Sequence, residues 1–226
     1  MIITIDGPTA SGKSTAARLL AEELGFYYIA SGLFYRALAY LLITKAQYKV
    51  ADLYHPKTHD IGNFLDPKKL IYTYDNIHRE QVSYDGVILT PYLKTKELDQ
   101  ASSMVSTNPQ VRDYFLKVQR NIAQTNNIVI DSRDAGSIVF PHAEFKFYVT
   151  AAIDIRSKRW QKDQEKKGIK ISLDEAQQEL ITRDKRDMER EYAPLIVPKD
   201  AVIIDSSSMN PQELVGVMKE HIFMKR

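Results

Sequence analysis

Eight residues near the start of the chain, Gly7-Pro-Thr-Ala-Ser-Gly12-Lys13-Ser14, match G-x-x-x-x-G-K-[ST] at every fixed position. Such a spacing serves to hold phosphate. Glycines let successive backbone N–H groups curl around phosphate oxygens, and a helix starting at the same point adds partial positive charge. Lys13 can reach the β and γ phosphates of a nucleotide, and the Ser14 hydroxyl can ligate Mg2+. A strand-like run, residues 2–5, precedes the loop and a helical pattern follows it. An accidental glycine-rich turn would have neither neighbour.

A phosphate loop does not separate kinases from GTPases and ATP-driven motors. The guanine-reading N-K-x-D pattern is absent. Asp131 follows the apolar run 128–130 as an acidic strand-end residue that can help hold Mg2+, or else it caps the turn after it. Ser132 stands where many ATP hydrolases carry Glu. Both features favour a transferase over a switch or a motor.

The residues Leu173, Ala176 and Leu180 mark one helix face, and the same stripe runs on into Arg183, Asp187 and Arg190, with Arg186 beside them. Arginine aimed inward is costly unless it meets an anion. A solvated helix end laced by pairs with Asp184, Glu189 and Glu191 is the ordinary meaning of such a run. The phosphate loop elsewhere in the chain tips the reading toward an anion, to which Arg offers a bidentate fork. Arg36, Arg112 and Arg133 lie near strand ends or early in helical patterns, where open α/β sheets bind ligands. As a set they point to a second phosphate-bearing substrate.

Elements must position these groups. Short β-branched runs at 2–5, 27–29, 128–130, 145–149 and 201–204 alternate with helical patterns at 13–24, 33–42, 110–123, 153–166 and 174–191. A last helix begins near Asn210-Pro211, with Leu214, Val217, Met218 and Ile222 as its apolar face. One stretch breaks the alternation. Strand-like pieces at 70–73 and 80–89 follow each other without a helix, and Asp85-Gly86 is a two-residue hairpin signal inside the second. The expected fold is therefore α/β: a parallel five-stranded phosphate-loop core with helices on both faces, a small antiparallel insertion and a helical lid. The core takes residues 1–55 and 99–226, with the lid at about 155–172, and the insertion takes 56–98.

Composition narrows the class further. The 226 residues are 44% hydrophobic and 27% charged, near the globular average. Lys and Arg number 31 against 29 Asp and Glu, a net charge of +2, so no bulk attraction to nucleic acid or to an anionic membrane is expected. Without cysteine there is no disulfide, thiolate nucleophile or Cys-based zinc site, which suits a reducing cytoplasm. The five His lack metal-ligand spacing. No apolar run approaches the ~18 residues that span a bilayer. The first five residues are too short for a signal-peptide core and read as the first strand.

Together these segments resemble the bacterial cytidylate (CMP) kinases of the nucleoside monophosphate kinase family. Seven ordered motifs carry the resemblance: Ile3-Thr-Ile-Asp-Gly-Pro with the Gly-Lys that follows; Ser31-Gly-x-x-Tyr35-Arg36; Ser103 through Pro109-x-Val-Arg112; Arg133-Asp134-x-Gly136; Val139-Phe-Pro141; Arg183-Asp184-x-x-Asp187; and Arg190 with Ala193-Pro-Leu195. The family's enlarged monophosphate-binding region falls where the hairpin signal places the insertion. Relatives often carry Asp where this chain has Ala30.

The resemblance implies a kinase that moves the γ-phosphoryl of ATP to CMP or dCMP by direct in-line transfer, with Mg2+ as cofactor. It implies that Gly7, Pro8, Thr9, Ala10, Ser11, Gly12, Lys13, Ser14 and Thr15 hold ATP, with Lys158 and Arg159 at the start of the lid above it. Arg36, Arg133 and Arg190 look like the clamp on the acceptor's phosphate, and with Lys13 they form the catalytic set. Ser103, Arg112 and Asp134 match positions that read cytosine, Arg183 and Asp187 positions near the sugar, and Ser31 a further acceptor contact. Ser14, with Asp131, would face the metal. The expected partners are these small molecules, with no nucleic acid and no membrane, and the expected state is a cytoplasmic monomer. Two other classes stay open on the residues alone: a phosphate-loop kinase for another small acceptor, and a nucleotide-binding regulatory module without turnover.

Overall fold

The computed structural model describes residues 1–75 and 77–224. The chain opens with β1 (Ile2–Asp6), α1 (Lys13–Leu24) and β2 (Tyr27–Ala30). There follow α2 (Ser31–Lys45), α3 (Thr58–Phe64), β3 (Leu70–Asp75), β4 (Arg79–Tyr84), β5 (Val87–Ile88), α4 (Lys96–Val105) and α5 (Pro109–Thr125). The chain ends with β6 (Ile128–Asp131), β7 (Phe145–Thr150), α6 (Ile153–Glu165), α7 (Leu173–Glu189), β8 (Val202–Asp205) and α8 (Pro211–Met224). Two compact units result, residues 1–29 with 122–226, and residues 30–121.

The first unit holds a five-stranded parallel sheet in the order β2-β6-β1-β7-β8. Its central strand is the one that leads into the phosphate loop. Ile3 sits opposite Val129 on one side and Phe145 on the other. Ile3, Ile5, Val129, Ile130, Phe147 and Val149 are fully buried, because a parallel strand covered on both faces reads as an unbroken apolar run. α1 packs against α8. On α8 the buried face is Leu214, Val215, Met218 and Ile222; Val217, expected there, is only half-buried. Positions 214, 218 and 222 fix the face, and the neighbouring 215 lies nearer its middle than 217 does.

The second unit contains the antiparallel sheet β3-β4-β5. Leu70 pairs with Tyr84, and Leu70 and Tyr72 point inward while Ile71 and Thr73 point out. Asp85 and Gly86 take φ values of 48° and 77°, the left-handed pair that a two-residue hairpin needs. Phe34 on α2 brings this sheet together with α5, its ring centroid 4.8 Å from that of Tyr72 and 5.2 Å from that of Phe115. The insertion expected at 56–98 lies inside this unit, which also takes in α2.

Two helices, α3 and α4, have no counterpart among the expected elements. α3 is seven residues long and buries only Ile61 and Phe64, too little for a periodicity to register. α4 buries Asp99, Ser102 and Ser103 alongside Leu98, Ala101 and Val105, so its inward face is half polar. Leu173, expected on the inward face of α7, is exposed. It is the first residue after the Ser172 cap, whose hydroxyl accepts from the Glu175 N–H, and the packed face begins a turn later at Ala176. Among the described residues no helix is long and apolar enough to cross a membrane.

Candidate active site

The phosphate loop leaves β1 at its carboxyl end. Gly7 has φ 146°, and a Cβ there would lie 2.0 Å from the Val149 carbonyl oxygen, so only glycine fits. Lys13 follows at the start of α1, 4% exposed, with Nζ donating to the Pro8 carbonyl at 3.0 Å. Burial pushes its pKa down to about 7, helped by Arg133 and Arg183 and opposed by Asp131 and Asp184. A lysine in that condition gains its full charge when an anion arrives. The Ser14 hydroxyl donates to one oxygen of Asp131 at 2.6 Å, and the Tyr28 hydroxyl donates to the other at 2.6 Å. Hydroxyl and carboxylate oxygens at one point are the hard donor set that suits Mg2+.

The arginine stripe resolves differently from its sequence reading. The buried line of α7 is Ala176, Leu180, Asp184 and Asp187, carboxylates rather than guanidiniums, with Arg183 half-buried beside it. Arginines from other segments come to those carboxylates. Arg133, just past β6, donates from Nε to Asp187 at 2.9 Å and from Nη2 to the Thr9 hydroxyl in the phosphate loop at 2.8 Å. Burial pushes the Asp187 carboxyl up, but Arg133, Arg183 and Arg190 together outweigh it and hold its pKa below the ordinary value. Arg190 stands where α7 ends, its Nε donating to the Ala193 carbonyl at 2.6 Å. Arg186 is half-buried as well. Asp134, 3% exposed, accepts from the Ser132 hydroxyl at 2.9 Å.

Three residues of this unit, Asp184, Arg156 and Asp6, were given no role in the site by the sequence reading. Asp184 accepts from the Thr9 N–H at 3.2 Å and pairs with Arg156, which also donates to the Thr9 carbonyl at 3.2 Å. Asp184 lies four residues after Leu180, so the apolar stripe pointed to it. Asp6, fully buried at the end of β1, accepts from the N–H groups of Ala135 and Gly136. Of the two expected lid residues, Arg159 donates to the Ser206 hydroxyl at 3.0 Å, and Ser206 in turn donates to the Ser11 carbonyl at 2.8 Å. Lys158 instead points to solvent, 4.0 Å from Asp154 one turn back. Ser14 and Thr15 are exposed at the start of α1.

The second unit carries Ser31, Arg36, Ser103 and Arg112. Arg36 pairs with the buried Asp99 and donates from Nη1 to the Leu93 carbonyl at 3.1 Å. Asp99 also went unread; it lies one turn before Ser103 on α4. Arg112 is buried, donates to the Ser106 carbonyl at 3.0 Å, and has its guanidinium carbon 5.5 Å from the centre of the Tyr35 ring. Ser31 and Ser103 are buried at helix positions in α2 and α4. The backbone N–H of Ala30 donates to the Tyr72 hydroxyl at 2.9 Å.

A glycine-limited loop between the central parallel strand and a helix, with a buried lysine at its end, is the working part of a phosphate-loop kinase. The family described as Cytidylate kinase matches residues 3–223. A cytidylate kinase from Thermotoga sp. (strain RQ2) is 38% identical over 213 residues, covering 94% of this chain and 92% of its own. One from Streptococcus pneumoniae (strain 70585) is 35% identical over 217 residues, covering 96% and 95%. The chain belongs to the cytidylate kinase family. Among solved structures, an uncharacterized protein from Eubacterium ventriosum ATCC 27560 aligns over 98% of both chains with a TM-score of 0.55 at 14% identity, a likeness of fold alone.

Proposed function

We propose that the protein transfers the γ-phosphoryl group of ATP to CMP or dCMP, forming ADP and the nucleoside diphosphate. The observation that carries this reading is Arg133, bonded at once to the phosphate loop through Thr9 and to the Asp187 carboxylate, near which Arg183 and Arg190 also lie. A cationic group tied to the donor loop is what a phosphorylated acceptor requires. The curated relatives in whose family the chain falls are named for that acceptor.

ATP is assigned to residues Gly7 to Thr15 with Arg159, and Lys158 keeps its place at the start of a lid over 155–172. The acceptor phosphate is assigned to Arg36, Arg133 and Arg190, the base to Ser103, Arg112 and Asp134, the sugar to Arg183 and Asp187, and a further contact to Ser31. Ser14 and Asp131 would hold Mg2+, whose charge, when bound, offsets that of the phosphates. In the transfer, a bond forms from an acceptor phosphate oxygen to the γ-phosphorus as the bond to the β–γ bridging oxygen breaks. That acceptor oxygen is already anionic, so no general base is needed. Lys13 and the arginines act by positioning and by stabilising charge on the transferred group. Water is the competing acceptor, and the lid and the inserted region 56–98 serve to exclude it.

An ADP-release assay with CMP, dCMP, UMP and AMP tests the proposal. CMP and dCMP should turn over at least about tenfold more efficiently than the others, the margin a dedicated polar pocket provides. Saturable ATP binding without any CMP-dependent ADP release would instead make the protein a binding module.

A further inference from the structure

We infer that Asp6 is a positioning residue for the acceptor: it fixes the turn that carries Arg133 and Asp134 to the strand that carries the phosphate loop. The inference rests on the acceptor roles proposed above for those two residues.

Asp6 is the last residue of β1, and the loop begins at Gly7, the next residue. Its carboxylate is fully buried and spans two donors, the Ala135 N–H at 2.8 Å on one oxygen and the Gly136 N–H at 2.7 Å on the other. These N–H groups open the turn Ala135–Val139, where no earlier turn supplies them with carbonyl partners. In the interior such donors must be satisfied, and a side chain 129 residues away in sequence does so. Arg133 and Asp134 immediately precede them, so the two bonds set where both side chains start.

The approach is close as well as bonded. A Cβ on Gly136 would lie 2.8 Å from the Thr4 hydroxyl oxygen, 3.0 Å from Pro198 Cγ and 3.1 Å from an Asp6 oxygen. Burial raises the Asp6 pKa to about 7, and the Asp134 carboxylate adds to the rise, while the two N–H groups and Lys13 oppose it. A carboxylate kept under those conditions, when an apolar residue would pack at lower cost, is being used for its bonds. Asp6 is fully buried and its two bonds go to backbone N–H groups, so it is assigned no contact with substrate. Its effect on the reaction runs through Arg133 and Asp134.

Two variants attack the junction from opposite sides. Asp6→Asn keeps the shape but presents an NH2 group to one of the two N–H donors, and Gly136→Ala forces the turn off the strand. Both should raise KM for CMP about tenfold and narrow the preference for CMP over UMP, because base and phosphate contacts shift together. Binding of a non-hydrolysable ATP analogue alone should stay within about twofold, with a melting curve confirming a folded chain. If Asp6→Asn does not fold, Gly136→Ala decides. The inference is overturned if the folded variants keep the wild-type KM for CMP and the wild-type preference. It is equally overturned if affinity for CMP and for the ATP analogue falls in the same proportion, which marks general support of the fold. Arg133→Ala is the control: if it leaves KM for CMP unchanged, the proposed acceptor role fails first, whereas a raised KM there with unchanged junction variants condemns the inference alone.

Discussion

Both units keep arginines away from water, and they do so with different accounts of charge. In the second unit Arg36 has a matching carboxylate, Asp99, and Arg112 rests on a carbonyl and the face of Tyr35. In the first unit Arg133, Arg183 and Arg190 all lie close enough to Asp187 to depress its pKa, and the buried Lys13 feels Arg133 and Arg183 as well. One unit spaces its arginines apart, each on its own partner, and the other gathers several cations close to one another, with Asp131, Asp184 and Asp187 among them. Cations held close together repel one another, and a further anion eases that repulsion, whereas a matched or ring-stacked arginine gains less from one. On the proposed function, the gathered cations would receive phosphate charge together with Arg36, and Arg112 would help orient the acceptor's base.

The contrast is broken most directly at Lys13. Lys13→Ala should lower kcat by at least about a hundredfold, roughly 3 kcal/mol of transition-state stabilisation, with an unchanged melting temperature. An unaltered kcat would remove the loop from the reaction. Next comes Asp187→Asn, which leaves three arginines without their shared anion and should cost on the order of 3 kcal/mol of stability at pH 7. The sign follows from linkage. The folded pKa of Asp187 lies below the ordinary carboxylate value, so its contribution is complete above that value and fades as pH falls through the folded pKa. The melting temperatures of wild type and variant should therefore converge in acid; a constant gap down to low pH would deny the charge a role.

A smaller effect separates base reading from clamp building. An ionised carboxylate only accepts, so Asp134 can take a hydrogen bond from the exocyclic amino group of cytosine but opposes the carbonyl of uracil. Asp134→Asn should lower the CMP-to-UMP ratio of kcat/KM by at least tenfold, ~1.4 kcal/mol. Equal losses on both substrates would assign Asp134 to organising Arg133 instead. The smallest effect belongs to the second unit. Tyr35→Leu removes the ring beneath Arg112 and should weaken CMP binding by about 1 kcal/mol, roughly fivefold in Kd. An effect as large as that of Lys13→Ala would erase the distinction between the units.

The sheet was legible because parallel central strands are covered on both faces and so read as continuous β-branched runs. The phosphate loop was legible because its function needs glycines and a lysine at fixed spacing. The hairpin was legible because a two-residue turn demands left-handed residues, met by Asp85 and Gly86. α4 was not, since its inward face carries Asp99 and Ser103 where an apolar periodicity would have disclosed a helix. Arg156 and Asp99 were passed over, and Asp184 was read only as a partner in a solvated helix end, for a related reason: a charged residue has the same appearance in sequence whether it faces water or a buried partner.

Sequence by itself determined the loop, the order of strands and helices that hold it, and the family, because each depends on residue types at short or fixed separations. Tertiary structure alone decided which charges meet. The far end of the apolar stripe on α7 looked cationic, and folding turned its carboxylates inward and brought Arg133 and Arg156 to them from segments 54 and 28 residues away. It also decided that Asp6 would hold Ala135 and Gly136. Such pairings follow from strand adjacency in space: β1 lies between β6 and β7, so the end of one strand becomes the anchor for the turn that leaves its neighbour.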